Sequence, residues 1–140
     1  INVLIVYNCL FCKIYNKEIP SKKIYEDEFV FSFLDKNPAT KCHTLVIPKK
    51  HYIDIFEMND NISKNIFSSI PKICKALKKS FKPIGLNIVN NNQKPYQVVF
   101  HYHIHLIPRY EDDNYEISSI PLSFTSHELE EIQNTITSNL

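Results

Sequence analysis

Histidine is scarce in this chain, six among 140 residues, yet three stand at alternate positions of one apolar run, Phe100-His101-Tyr102-His103-Ile104-His105-Leu106-Ile107-Pro108. Alternate residues of a β-strand share a face, about 6.5–7 Å apart per step. A strand over 98–108 therefore predicts His101, His103 and His105 as a row, with Phe100, Tyr102, Ile104 and Leu106 turned into a core. Three readings compete. The histidines could simply be half-buried and satisfied by backbone or water. An H-x-H pair could bind a catalytic zinc, although the outer rings lie about 13–14 Å apart, too far for all three to close on bonds of about 2 Å. Finally, a neutral imidazole attacks phosphorus when its other nitrogen donates its proton to an orienting acceptor. Its neighbours can then bind phosphate oxygens or protonate the leaving group. His103, flanked on both sides, is the favoured nucleophile.

Elements to hold such a row are legible in order. LFCKIYNK (10–17) reads as a short helix, KIYEDEFVFSFLD (23–35) as two strands around an Asp27-Glu28 turn, and HTLVIP (43–48) as a third strand stopped by Pro48. From Ile62 to Phe81 the apolar positions fall at helical spacing, and Pro71 is expected to kink this helix or split off its first turns. Lys72, Lys75, Lys78, Lys79 and Lys82 would form its solvated face. GLNIVN (85–90) and VVFHYHIHLIP (98–108) give the fourth and fifth strands, and 111–121 an acidic surface loop. Thr125-x-x-Glu128 resembles a capping box, ahead of Leu129, Ile132 and Ile136 on one face of a last helix. The expected fold is α+β: a largely antiparallel five-stranded sheet, one long helix packed on it and a C-terminal helix, in a single domain.

Composition narrows the class. The chain is 44% apolar and 22% charged, with a net charge of +1, which weighs against a nucleic-acid binder. No apolar stretch approaches the roughly 20 residues of a membrane span. The opening INVLIVYN has no basic leader or cleavage site and reads as an extra strand; it starts on Ile1 rather than Met, so residues ahead of it are expected. One glycine, Gly85, excludes glycine-rich phosphate loops. Four cysteines, two of them as Cys9-x-x-Cys12, suit a reducing compartment and a metal or redox pair better than disulfides. Cys42 and Cys74 read as buried thiols and His127 as a surface residue.

His101-Tyr102-His103-Ile104-His105-Leu106-Ile107 fits His-φ-His-φ-His-φ-φ, φ being apolar, at every position, and so resembles the histidine triad (HIT) family. CLFCKIYNKEIPS, YEDEFVFSFLD, CHTLVIPKKH and GLNIVNNNQ stand in the order of the Hint branch, and the likeness to its bacterial-type zinc-containing members runs from about residue 9 to 110, leaving 111–140 as a C-terminal extension. The resemblance implies a homodimeric nucleotide-binding hydrolase or transferase. Its substrates would be nucleoside 5′-phosphoramidates or related conjugates of a purine mononucleotide, AMP or GMP, in the cytoplasm or nucleus. It implies His103 as the nucleophile forming a nucleotidyl-histidine, with His105 and His43 completing the catalytic histidines. Asp35 would hold the ribose hydroxyls, Phe11, Ile14 and Ile19 the base, and Asn90 and Gln97 would lie near the phosphate. It also implies a structural zinc held by Cys9, Cys12, His51 and His101. The stretch Pro95-Tyr96-Gln97-Val98-Val99 departs from the small, serine-containing run usual before the triad. The alternative is a non-catalytic purine-nucleotide-binding or scaffold protein that keeps the pocket without needing the nucleophile.

Overall fold

Alternation of side chains across the pleat places β2 (Val30–Leu34), β3 (Thr44–Pro48) and β5 (Ile104–Arg109) between two apolar layers in the computed structural model, which describes residues 7–140. Val30, Val46, Ile104 and Leu106 face one side, Phe31, Phe33, Leu45 and Ile47 the other. β1 (Lys23–Glu26) and β4 (Gly85–Val89) are the edges of one five-stranded antiparallel sheet, in the order β1-β2-β3-β5-β4. The β1–β2 turn closes on Asp27, whose carboxylate accepts from the Phe29 and Val30 amides at 2.8 and 2.9 Å.

The first face is covered by α2 (Asp60–Phe81), capped by Asn59, whose side chain accepts from the Ile62 amide at 3.0 Å. Ile66, Ile70, Ile73 and Leu77 are buried on the sheet beside Tyr102, and the lysines lie opposite. The helix runs unbroken through Pro71, contrary to the expected split. Proline costs an interior helix about 3 kcal/mol, whereas each of the four buried side chains contributes about 1.5–3 kcal/mol. Packing decides. The other face carries α1 (Leu10–Tyr15), with Phe11, Cys12 and Ile14 buried on it.

Three further expectations are corrected. β5 begins at Ile104 rather than residue 98, because residues 98–103 bond outside the ladder: the Tyr102 amide donates to the Tyr52 carbonyl at 2.6 Å. Phe100 is therefore 37% exposed instead of in the core. Cys42 and Cys74 are half-buried. The strand expected over 1–8 falls outside the described residues except for Tyr7 and Asn8, which are helical. α3 (Ser126–Thr137) has the expected capping box, but none of its residues is buried. Among the described residues no helix is long and apolar enough to cross a membrane.

Candidate functional site

Except for His127, the singled-out histidines gather around the start of β5, with His51 and His43 beyond opposite ends of β3. His105 lies opposite Leu45 of β3 and Val89 of β4, and His103 precedes it on the same face. Asp35 follows β2 and His43 precedes β3, so the hairpin brings them together; the Asp35 amide donates to the His43 carbonyl at 2.9 Å. Thr40, in the connecting loop, donates to the Pro108 carbonyl at 2.6 Å and ties that loop to β5.

Backbone partners determine where each ring carries its proton. His103 Nδ1 lies 2.7 Å from the His101 carbonyl, which only a protonated nitrogen can satisfy. Its Nε2 therefore keeps a lone pair. His43 Nδ1 accepts from the Ala39 amide at 3.0 Å, so that ring's proton sits on Nε2, 2.9 Å from His105 Nδ1 and 3.6 Å from the Asp35 carboxylate. His105 must then carry its own proton on Nε2. The His103 and His105 rings stand 4.9 Å apart, and those of His43 and His105 5.1 Å. Burial lowers all three pKa values, that of His105 to about 4 with the help of its two imidazole neighbours, so the rings are neutral at neutral pH. Asp35, His43 and His105 could be mistaken for a metal triad. The amide bond at His43 argues otherwise, because Nε2 then has no lone pair to offer.

Cys9, Cys12, His51 and His101 make a second, wholly buried cluster, with ligand atoms all within 4.8 Å of one another. Cys9 Sγ and Cys12 Sγ lie 3.4 Å from His101 Nδ1, and Cys12 Sγ lies 3.4 Å from His51 Nδ1. A tetrahedral ion with bonds of about 2.3 Å to sulfur and 2.0–2.1 Å to nitrogen needs sulfur–nitrogen edges of about 3.5 Å. The spacing fits. His101 Nε2 donates to the Pro48 carbonyl at 2.8 Å, which frees Nδ1 for an ion. The cluster can thus hold a metal, joining α1, the segment after β3 and the triad.

The remaining predicted residues are placed as follows. Phe11 and Ile14 lie buried in the second apolar cluster with Ile19 at its edge, and the Phe11 ring stands edge-on to His103 at 5.0 Å. Asn90 donates to the His103 carbonyl at 2.9 Å. Gln97 is buried with its amide bonded to the Ile53 and Val99 carbonyls and the Gln93 amide, and so braces its own loop. Two contributors escaped the sequence reading. Asn92 joins Asn90 at 2.7 Å and accepts from the Ile55 amide at 2.8 Å, and its only signal was a run of asparagines. The Ala39 amide had none, because a backbone donor leaves no trace in residue type.

The chain belongs to the HIT family, whose HIT domain model matches residues 16–112. It is 55% identical over 104 residues to "Protein hit" of Bacillus subtilis, covering 74% of this chain and 72% of that one. It is 37% identical over 110 residues to "Adenosine 5'-monophosphoramidase HNT1" of Candida albicans, covering 75% and 72%. A crystal structure of a HIT family member from Bacillus subtilis superposes with a TM-score of 0.92 at 44% identity, over 95% of this chain and 97% of that one. A zinc-bound histidine triad protein from Mycobacterium smegmatis matches with a TM-score of 0.74 at 31% identity, over 96% and 99%.

Proposed function

We propose that this protein hydrolyses or transfers nucleoside 5′-monophosphates from phosphoramidates, or related purine mononucleotide conjugates, through a covalent nucleotidyl-His103. The observation carrying this reading is the 2.7 Å bond from His103 Nδ1 to the His101 carbonyl, which presents the Nε2 lone pair of a neutral ring. Nε2 attacks phosphorus and the phosphorus–nitrogen bond breaks, the departing amine taking its proton from a solvent water while His105 Nε2–H donates a hydrogen bond to a phosphate oxygen. A second water then attacks the nucleotidyl-imidazole, its proton returns to solvent, and the mononucleotide leaves. His43 holds His105 in the required tautomer through the 2.9 Å contact. Asp35 receives the ribose hydroxyls, Phe11, Ile14 and Ile19 line the base site, and Asn90 and Gln97 shape the loops around the phosphate.

We assign zinc to Cys9, Cys12, His51 and His101. Four protein ligands leave no open position, so the ion's role is to fix the loop carrying His101. The likeness to the monophosphoramidase and to the zinc-bound structure supports the reaction and the ion respectively. We infer further that the protein works as a homodimer in a reducing compartment, the cytoplasm or nucleus, where the thiols stay reduced.

The test is AMP release from adenosine 5′-phosphoramidate by parent and His103→Ala proteins. Turnover in the parent, lost in the variant, is expected. AMP binding without turnover in the parent would replace this reading with that of a nucleotide-binding protein.

A further inference from the structure

The turn that delivers His43 to the site is held from outside it. Residues 36–42, between β2 and β3, form neither helix nor strand. Their own bonds give the turn its shape: the Asn37 amide donates to the Asp35 carboxylate at 2.8 Å, and the His43 amide to the Thr40 carbonyl at 3.2 Å. Two side-chain bonds place it against the end of β5. Tyr110 donates its hydroxyl to the Lys41 carbonyl at 3.1 Å, on the exposed surface. Thr40, 7% exposed, donates to the Pro108 carbonyl at 2.6 Å.

The acceptor accounts for a hydroxyl at residue 40. The β3–β5 ladder ends at the pair Thr44–Leu106, and the Arg109 carbonyl accepts from the Ile84 amide on the other edge of β5. Successive carbonyls of a strand point to opposite edges, so that of Pro108 points toward β3, past the end of the ladder. A buried carbonyl needs a partner, and Thr40 is the one it has.

The neighbouring residue gives this bond a second consequence. The Ala39 amide donates to His43 Nδ1 at 3.0 Å. A peptide N–H can only donate, so its presence excludes the His43 tautomer with a proton on Nδ1. The Asp35 carboxylate, 3.6 Å from His43 Nε2, is beyond hydrogen-bond length and holds that tautomer less firmly. One proton lies in the 2.9 Å contact between His43 Nε2 and His105 Nδ1, so the two rings change tautomer together. With the amide drawn away, His105 is free to donate from Nδ1 to His43 and turn a bare Nε2 lone pair toward the phosphate.

We propose that Thr40 is a positioning residue: its bond to Pro108 aims the Ala39 amide at His43 and thereby keeps the His105 proton on Nε2. The placement of the protons stands on geometry alone; its effect on turnover rests on the reaction proposed above.

Nitrogen-15 spectra of the histidine rings, with AMP release from adenosine 5′-phosphoramidate on the same samples, test it in the parent, Thr40→Val and Thr40→Ser proteins. In the parent, His43 and His105 each show a protonated Nε2 and a bare Nδ1, and a coupling across the hydrogen bond links the Ala39 amide nitrogen to His43 Nδ1. Thr40→Val loses that coupling and populates Nδ1–H on both rings. Its kcat falls up to about tenfold with little change in KM, as for one lost neutral hydrogen bond to charge growing in the transition state. Thr40→Ser, which keeps the hydroxyl, restores the ring states and kcat. Should Thr40→Val not fold, Thr40→Ala makes the same test, since it leaves room for a water on the Pro108 carbonyl. A parent without the coupling, or ring states unmoved in a folded variant lacking the hydroxyl, whatever its kcat, would overturn the proposal. Parent rings as expected but without turnover would instead overturn the reaction and leave the control of the protons by Thr40 standing.

Discussion

Removal of the proposed zinc, by chelation or by Cys9→Ala, separates a structural ion from one that takes part in the reaction. The ion's ligand His101 also supplies the carbonyl that accepts from His103 Nδ1 at 2.7 Å. Loosening that loop releases the bond, and the ring is free to adopt the unreactive tautomer. A neutral hydrogen bond of this kind contributes about 0.5–1.5 kcal/mol net. At 1.36 kcal/mol per factor of ten, the reactive fraction falls by roughly 2- to 13-fold. The turnover number for AMP release should therefore drop by about that factor, measured well below the unfolding temperature with circular dichroism confirming the fold. An ion polarising the phosphoryl oxygen supplies several kcal/mol instead, and its loss would cost about a thousandfold or more. A loss of that size in a folded, ion-free protein would refute the structural role.

Ile66, fully buried on the sheet-facing side of α2, should cost about 2–5 kcal/mol when replaced by Ala, read from urea midpoints. On the proposed reading Asp35 holds the ribose before and during the reaction alike, so Asp35→Asn should raise KM by several-fold with little change in kcat. Stability should also follow pH. Burial holds folded His105 near pKa 4 against the ordinary 6.5, so the unfolded chain binds the proton first. His105's contribution is complete above pH 6.5, is lost between 6.5 and about 4, and levels off below; urea midpoints at pH 7.5 and 5 check the sign. Burial and the neighbouring Cys9 push the Cys12 thiol up to about 12, so metal uptake must displace its proton. Competition titrations should then show affinity falling from pH 8 to pH 6.

The strands, the long helix and the final capped helix were legible because burial leaves period-two and helical patterns, and because Asp27 and Thr125 carry polar side chains where a turn and a helix start need them. The two histidine sites were legible as residue types, and the HIT motif ordered them. The proton positions were not. They depend on the Ala39 amide and the His101 carbonyl, which every residue possesses and only the tertiary fold aims. The same holds for the start of β5: alternation over 98–108 promised one strand, but bonds from Tyr102 and His101 to Tyr52 and Pro48 draw residues 98–103 out of the ladder. Pro71 shows the converse, a local rule overruled by four side chains anchored on a sheet. Residue type and spacing determined which groups could react and which faces would be buried. Tertiary structure decided which nitrogen holds each proton, because backbone polar groups, uniform in the sequence, acquire direction only when distant segments are packed together.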